Sequence, residues 1–305
     1  LGDGTFAVKC LTTDNSASFG PQQTPESRRR REESLKSDFE AEVDVLRRFS
    51  GGRAHPHLVS LLTTYKKGGN YHLLFHWAES DLLAFWAHVP PGDPLKVDNL
   101  SWMIGQCRGI ANGVLRIHEY QYSQKKDNVS NAGPQSHTGP RPDQVFGRHT
   151  DIKPENFLLY RKRGDPDDRG TIKLTDFGLC EFHGAVTRSR INKSRIVAIT
   201  PTYRPPECDM DHGLISRSFD IWSLGCVYLE FITWYLGGWK FLSKFANSRK
   251  AKDIHGHNAD QFFEILTLGD PNNNKFAAGV KKEVVNVSSP WAWPMDCRLT
   301  NAIKY

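Results

Sequence analysis

Apolar positions alternate every other residue near the start of this chain and fall at helical intervals beyond it. Phe6-Ala7-Val8-Lys9-Cys10-Leu11 reads as a strand presenting a single lysine. Thr12 to Glu33 is polar, with Gly, Pro and Ser ahead of Arg28-Arg29-Arg30-Arg31, and is expected to be an excursion or disordered loop. A helix is expected from near Ser37. Ser37 and Glu40 have capping-box spacing, and Phe39, Val43 and Leu46 recur at helical intervals. His55-Pro56-His57-Leu58-Val59 leads into a strand through Leu61, Leu62 and Tyr65. Lys67-Gly68-Gly69-Asn70 signals a hairpin, and Tyr71 to Phe75 is the returning strand. Past Leu82-Leu83-Ala84-Phe85-Trp86 and the Pro90-Pro91-Gly92 loop, a long helix is expected from about Leu100 to His118, carrying Ile104, Ile110 and Leu115.

Further on, the apolar runs become short and border polar loops. Phe157-Leu158-Leu159 reads as a buried strand, and Ile172-Lys173-Leu174-Thr175 alternates like another. Gln121 to Val145 is polar and rich in Gly, Pro, Ser and Asn. A helix is expected through Phe262, Phe263, Ile265 and Leu266, whereas Ser289-Pro290-Trp291-Ala292-Trp293-Pro294 fits no regular element.

The candidate chemistry lies in the loops beside those two late strands. His149-Thr150-Asp151-Ile152-Lys153-Pro154-Glu155-Asn156 sets a carboxylate, an ammonium and an amide on one polar stretch. An Asp can accept the proton of an attacking hydroxyl, a Lys can steady a moving phosphoryl group, and an Asn can hold a divalent metal. Asp176-Phe177-Gly178 puts a second carboxylate at a strand end, next to a Gly that lets the backbone turn. Singly, such residues are ordinary turn formers; both blocks in this order are a strong signal.

With these two blocks the sequence resembles a protein kinase of the Ser/Thr class over nearly its whole length. Gly147 to Asn156, followed by Thr200-Pro201-Thr202-Tyr203-Arg204-Pro205-Pro206-Glu207, looks most like a fungal group of kinase-like proteins. The resemblance implies an α+β fold of two lobes. Residues 1–78 would be a small nucleotide-binding lobe with an antiparallel sheet, and 79–305 a larger helical lobe for catalysis and substrate. It implies ATP and Mg2+ as cofactors and a protein with a Ser or Thr acceptor as substrate. Asp151, Lys153 and Thr200 would be catalytic, together with Lys9 held by the helix residue Glu42, for which Glu40 is the rival. Asn156 and Asp176 would hold the metal. Gly2 and Gly4 would belong to a phosphate loop, Phe75 would line the adenine pocket, and Trp77 would sit in the hinge between lobes or in the core. Asp220 of Asp220-Ile221-Trp222-Ser223-Leu224-Gly225 would brace the catalytic loop, and Glu207 would be an anchor for which Arg298 is a candidate partner.

Three departures accompany the resemblance. Phe6 runs straight into Ala7-Val8-Lys9, so the phosphate loop lacks its third glycine and flanking strands, leaving Lys9 on or near a sheet edge. Thr150 stands where the family pattern has Arg, so regulation is expected to differ, with Arg148 as a partial substitute. Gln121 to Val145 and Lys162 to Gly170 would be inserted surface loops. Both chain ends are expected to be incomplete, the chain beginning inside a longer protein or a misjoined gene product.

Composition narrows the class. At 305 residues, 38% hydrophobic and 24% charged, the chain suits a soluble globular protein with one large core or two moderate ones. No run approaches the roughly 18 apolar residues of a membrane helix, and Leu1-Gly2-Asp3-Gly4-Thr5 is not a signal peptide. Six scattered cysteines favour reduced thiols in the cytoplasm or nucleus. The formal charge of +6 sits largely in Arg28 to Arg31 and Arg161-Lys162-Arg163. These runs are expected in solvated loops, with a nuclear signal or an acidic partner as the other readings. No aromatic–basic interleaving marks a nucleic-acid module, and nothing sets an oligomeric state. A scaffold without catalysis and a small-molecule kinase remain as alternatives.

Overall fold

The computed structural model describes residues 5–12, 24–120, 145–162, 164–165, 168–184, 200–210, 216–253, 256–268 and 275–287. Strands β1 (Phe6–Leu11), β2 (Thr63–Lys67) and β3 (Asn70–His76) form an antiparallel sheet in the order β1-β3-β2. Among the described residues β1 is therefore an edge, with Lys9 opposite Leu73. The β2–β3 hairpin closes where Lys67 pairs with Asn70. Its two central residues, Gly68 and Gly69, have φ of 61° and 84°, a left-handed pair that a side chain would strain.

Helix α1 (Pro25–Arg48) starts well before Ser37, which corrects the expected loop for residues 24–33. Thr24 caps it, accepting a bond from Ser27 N at 3.2 Å, and Pro25 occupies the first turn, where no N–H is needed. The basic run lies on the exposed helix surface: Arg28 pairs with Glu32 at 3.4 Å, Arg29 with Glu33 at 2.9 Å and Arg30 with Glu26 at 3.3 Å. Cap and charge pairs, each pair worth about 0.2–0.5 kcal/mol, support a turn sequence that has no apolar stripe to announce it. Only the C-terminal half is amphipathic, burying Val43 and Leu46.

The remainder is mainly helical. Strand β4 (Ser80–Asp81) runs into α2 (Leu82–His88), capped by Asp81 through Ala84 N at 2.8 Å. Helix α3 (Val97–His118) buries Met103, Gln106, Ile110, Val114 and Ile117. Ile104 and Leu115, expected in the core, are 54% and 46% exposed. The true stripe is shifted because a packed helix face contributes positions i, i+3/i+4 and i+7, and Met103 rather than Ile104 lies in phase with Ile110. Strand β5 (Val145–Arg148) precedes β6 (Phe157–Tyr160) and β7 (Thr171–Leu174), which form a sheet with β4 in the order β4-β6-β7. Strand β8 (Glu181–Gly184) pairs with β5.

Helix α4 (Ser218–Ser248) packs Phe231, Trp234 and Tyr235 against α2 and α3, and one continuous cluster of buried side chains joins Val43 and Leu46 of α1 to Leu242 of α4. Short strands β9 (Ala251–Lys252) and β10 (Asn258–Ala259) pair with each other. The helix expected through Phe262 to Leu266 is instead β11 (Phe263–Leu268), paired with β12 (Lys275–Val280) ahead of α5 (Lys282–Val287). From Phe263 to Leu266 the side chains alternate between more and less buried, the period of a strand. A four-residue apolar cluster does not separate the two periods by itself; the partner strand does. The fold is α+β. Among the described residues no helix is long and apolar enough to cross a membrane.

Gly238 interrupts α4 with φ 68° and ψ −170°, a region essentially reserved for glycine. A Cβ there would also meet Pro91 Cδ at 3.3 Å. Gly238→Ala is expected to cost about 1–3 kcal/mol, seen as a lower denaturant midpoint at unchanged slope. An unshifted midpoint would show that the kink is not required.

Candidate active site

Two loops at one end of the β6–β7 hairpin hold the candidate catalytic residues, and backbone bonds lock them together. Thr175 N donates to Asn156 O at 2.8 Å, and His149 Nε2 donates to Thr175 O at 3.0 Å. Within the first loop, Asn156 Nδ2 donates to both Asp151 O, at 2.7 Å, and Asp151 Oδ2, at 2.8 Å. Lys153 Nζ is 2.9 Å from Asp151 Oδ2 and donates to Thr200 Oγ1 at 3.2 Å. A carboxylate and an ammonium of one loop thus meet a hydroxyl from a distant segment at one point.

The loop is held from below by Asp220 near the start of α4. Its carboxylate accepts from His149 N and Thr150 N, each at 2.8 Å, and lies 2.8 Å from His118 Nε2. The bond to Thr150 is needed because Thr150 has φ 64°, an unfavourable conformation for a β-branched residue. Thr150 Oγ1 also lies 2.8 Å from Leu179 O, tying this loop to the turn after Asp176.

Lys9 crosses to this cluster from the edge strand. Its Nζ is 2.7 Å from Glu42 Oε1 and 3.1 Å from Asp176 Oδ1. Glu42 is buried on α1, whereas Glu40 is exposed and faces Lys36 at 3.7 Å. Asp176 reaches toward Lys9 from a left-handed backbone, φ 62° and ψ 74°. Below it Phe177 is buried, stacked on Phe49, the residue that ends α1, and edge-on to His149. Helix α1 therefore touches the site twice, through Glu42 and through Phe49.

A family model of the protein kinase domain matches residues 144–287. Nearly half of the chain is thus similar to a protein kinase domain. The match takes in both loops, Thr200 and Asp220 but stops short of Lys9 and Glu42, which only the folded chain brings to the same place.

Electrostatics tie the site together. Burial by itself lowers the Lys9 pKa, but Glu42 and Asp176 outweigh it and hold the ammonium above its ordinary value. Burial likewise opposes ionisation of Asp176, yet Lys9 prevails and keeps that carboxyl below the usual range. Asn156 spends its amide N–H groups on Asp151, which leaves Oδ1 available. That oxygen and the half-exposed Asp176 carboxylate are hard donors suited to Mg2+, which takes few protein ligands and completes its shell with phosphate oxygens and water. Both residues fit such an ion.

The remaining expected positions fall as follows. Phe75 is half-buried against the core, opposite Ala7 in the β1–β3 register. Trp77 is 56% exposed and so is not a core aromatic, and its N–H donates to Thr5 O at 3.3 Å. Gly2 and Gly4, Arg298 and the basic segment Arg188 to Arg195, which the resemblance makes the activation segment after Gly178, lie outside the described residues. Arg148 is buried on β5, across from Glu181 in register.

One part of the site escaped the sequence reading. Beneath Thr200, Tyr203 Oη donates to Glu230 Oε2 at 2.8 Å, and Arg249 Nη2 donates to Glu230 Oε1 at 2.7 Å. Burial pushes the Glu230 carboxyl up, against the pull of Arg249. A lone Glu in the apolar run Leu229-Glu230-Phe231 was the available signal. Above this cluster opens a groove of about 400 Å³, with Glu155, Thr200, Trp239, Lys250 and Asp260 on its walls.

His149 gives the site a pH dependence. Burial holds its imidazole pKa below the ordinary 6.5, against the nearby Asp220, Asp151 and Asp176. The ring is neutral: Nδ1 accepts from Asp151 N at 3.3 Å while Nε2–H serves Thr175 O. The unfolded chain thus binds a proton that the folded chain refuses, so this contribution is complete above pH 6.5 and is lost as pH falls from there toward the folded value. His149→Phe is expected to flatten the loss of stability between about pH 7.5 and about pH 5.5, measured by chemical denaturation. Equal losses in both proteins would assign the effect elsewhere.

Proposed function

We propose that this chain is a protein serine/threonine kinase that moves the terminal phosphoryl group of ATP, bound with Mg2+, to a Ser or Thr hydroxyl of a protein. Phosphotransfer to proteins is supported by the match of residues 144–287 to the protein kinase domain. The acceptor class rests on Lys153 joining Asp151 to Thr200, and the nucleotide on Lys9 bridging Glu42 and Asp176. In this reading residues 1–78 bind the nucleotide and residues 79–305 carry catalysis and the peptide seat, the latter being the groove beside Thr200.

Asp151 orients the acceptor hydroxyl and takes its proton as the oxygen–phosphorus bond forms and the bond from that phosphorus to the departing ADP oxygen breaks. Asn156 fixes the Asp151 carboxylate through Oδ2 and leaves its other oxygen for the hydroxyl. Lys153 donates to the transferred group, and Thr200 holds Lys153 in line. Lys9 grips the inner phosphates, its direction set by the buried Glu42. Magnesium on Asn156 and Asp176 would neutralise charge that develops across the phosphates.

Asp151→Asn is expected to lower radiolabel transfer to a generic Ser/Thr substrate on the order of a hundred- to ten-thousand-fold while magnesium–ATP binding persists. Asp176→Ala should weaken both. The observation behind the scaffold reading is Lys9 on an edge strand, where the nucleotide's upper face has no sheet over it among the described residues. A wild-type chain that binds no nucleotide and transfers no label would establish that reading instead.

A further inference from the structure

The basic run Arg161-Lys162-Arg163 has no part in the mechanism, yet Arg161 lines a cavity away from the catalytic loop. About 170 Å³ opens between α2, α3, α4 and the far end of the β6–β7 hairpin. Phe85, Trp102, Trp234 and Tyr235 form its walls, and Arg161 and Arg169 contribute the guanidinium groups. An apolar cavity of about 150 Å³ accommodates benzene, so the space suits one Phe- or Leu-sized side chain.

The walls are polar-satisfied, leaving their faces for apolar contact. Trp102 Nε1 donates to Gly170 O at 2.9 Å, Trp234 Nε1 to Trp86 O at 3.0 Å, and Tyr235 Oη to Pro94 O at 3.0 Å. Phe85 lies under the Arg161 guanidinium, 5.9 Å from its ring centroid. Arg169 is half-buried and, among the described residues, has no carboxylate within ion-pair distance. Arg161 reaches Glu79 at 3.1 Å, but both side chains are solvent-exposed, and such pairs contribute about 1 kcal/mol or less. An incoming carboxylate can displace it. Asp168, also near Arg161, is taken up by Lys162 N at 2.6 Å and Gly170 N at 2.9 Å, and Asp93, near Tyr235, caps Leu95 N at 3.0 Å.

We propose that this cavity is a docking site for acidic peptide segments of a partner or substrate protein, taking one apolar side chain while flanking Asp or Glu residues meet Arg169 and Arg161. Charge complementarity selects the occupant: the aromatic walls alone would accept any apolar anchor, and the arginines favour one with acidic neighbours. The site shares its hairpin with the catalytic cluster. Five residues of extended chain, roughly 16 Å at 3.3 Å each, separate Arg161 from Asn156, so a docked segment tethers its protein near the groove beside Thr200.

The test uses the full chain and fluorescent peptide pools with one central Phe or Leu among Asp and Glu, against matching pools flanked by Lys and Arg. The acidic pool should bind tighter, and Arg169→Glu should weaken it by about tenfold or more, as loss and reversal of a charge-assisted contact require. Arg169→Lys should retain part of the binding, and Val89→Phe, which fills the cavity, should abolish preference for the apolar anchor. Asp151→Asn should bind the acidic pool like wild type, so the docking result stands apart from catalytic activity. Equal binding of both pools, or of wild type and Arg169→Glu with unchanged thermal unfolding, overturns the proposal. So does a dimer in sedimentation that Arg169→Glu dissolves, which would make a second copy the occupant.

Discussion

The Asp220 carboxylate, with no exposure to solvent, sits under the His149–Asn156 loop and accepts two backbone N–H groups from His149 and Thr150. Hydrogen bonds to a charged acceptor are worth about 1.5–3 kcal/mol each, enough to hold Thr150 at a positive φ it would otherwise leave. That single conformation turns the chain so that Asp151 points toward Asn156 and Lys153. The loop's chemistry therefore depends on a residue of α4 that touches none of the groups assigned to the reaction. His118 of α3 completes the shell around the same carboxylate, so two helices and the loop share one buried charge.

From that anchor the site extends outward by short, mutually dependent links. His149 joins Asp220 to Thr175, Thr175 joins Asn156, and Asp176 follows one residue later, where Lys9 meets it. Because Lys9 also needs Glu42, the geometry of the β1–β3 register and of α1 enters the site directly. Phe49 and Phe177 supply the apolar counterpart, so displacement of α1 would disturb both an ion pair and a ring stack.

The hairpin β6–β7 has two working ends. One holds Asn156 and Asp176; the other presents Arg161 and Arg169 over an aromatic cavity. A stiff pair of strands fixes the spacing between them, the arrangement that lets a tethering site raise the local concentration of an acceptor.

Short-range chemistry was legible in the sequence. The blocks around Asp151 and Asp176, the Gly68-Gly69 turn and the strand of Lys9 each follow from residue types at fixed spacing, whereas the α+β class came from the resemblance those blocks carry. Start signals were misread where charge replaced apolar periodicity: Thr24-Pro25 caps a helix whose first turns are held by exposed ion pairs, and no hydrophobic stripe announces them. The α3 stripe through Met103 rather than Ile104, and strand rather than helix at Phe263, depended on neighbours the local pattern does not contain. What the sequence by itself determined was which groups are available and which local turns they favour, since those depend on side chains a few residues apart. Only the tertiary structure decided that Lys9, Glu42, Asp151, Asp176 and Thr200 gather around one hairpin end, and that Glu230 is buried against Arg249. Packing and the pairing of buried charges join residues far apart in the chain, and no local period encodes that distance.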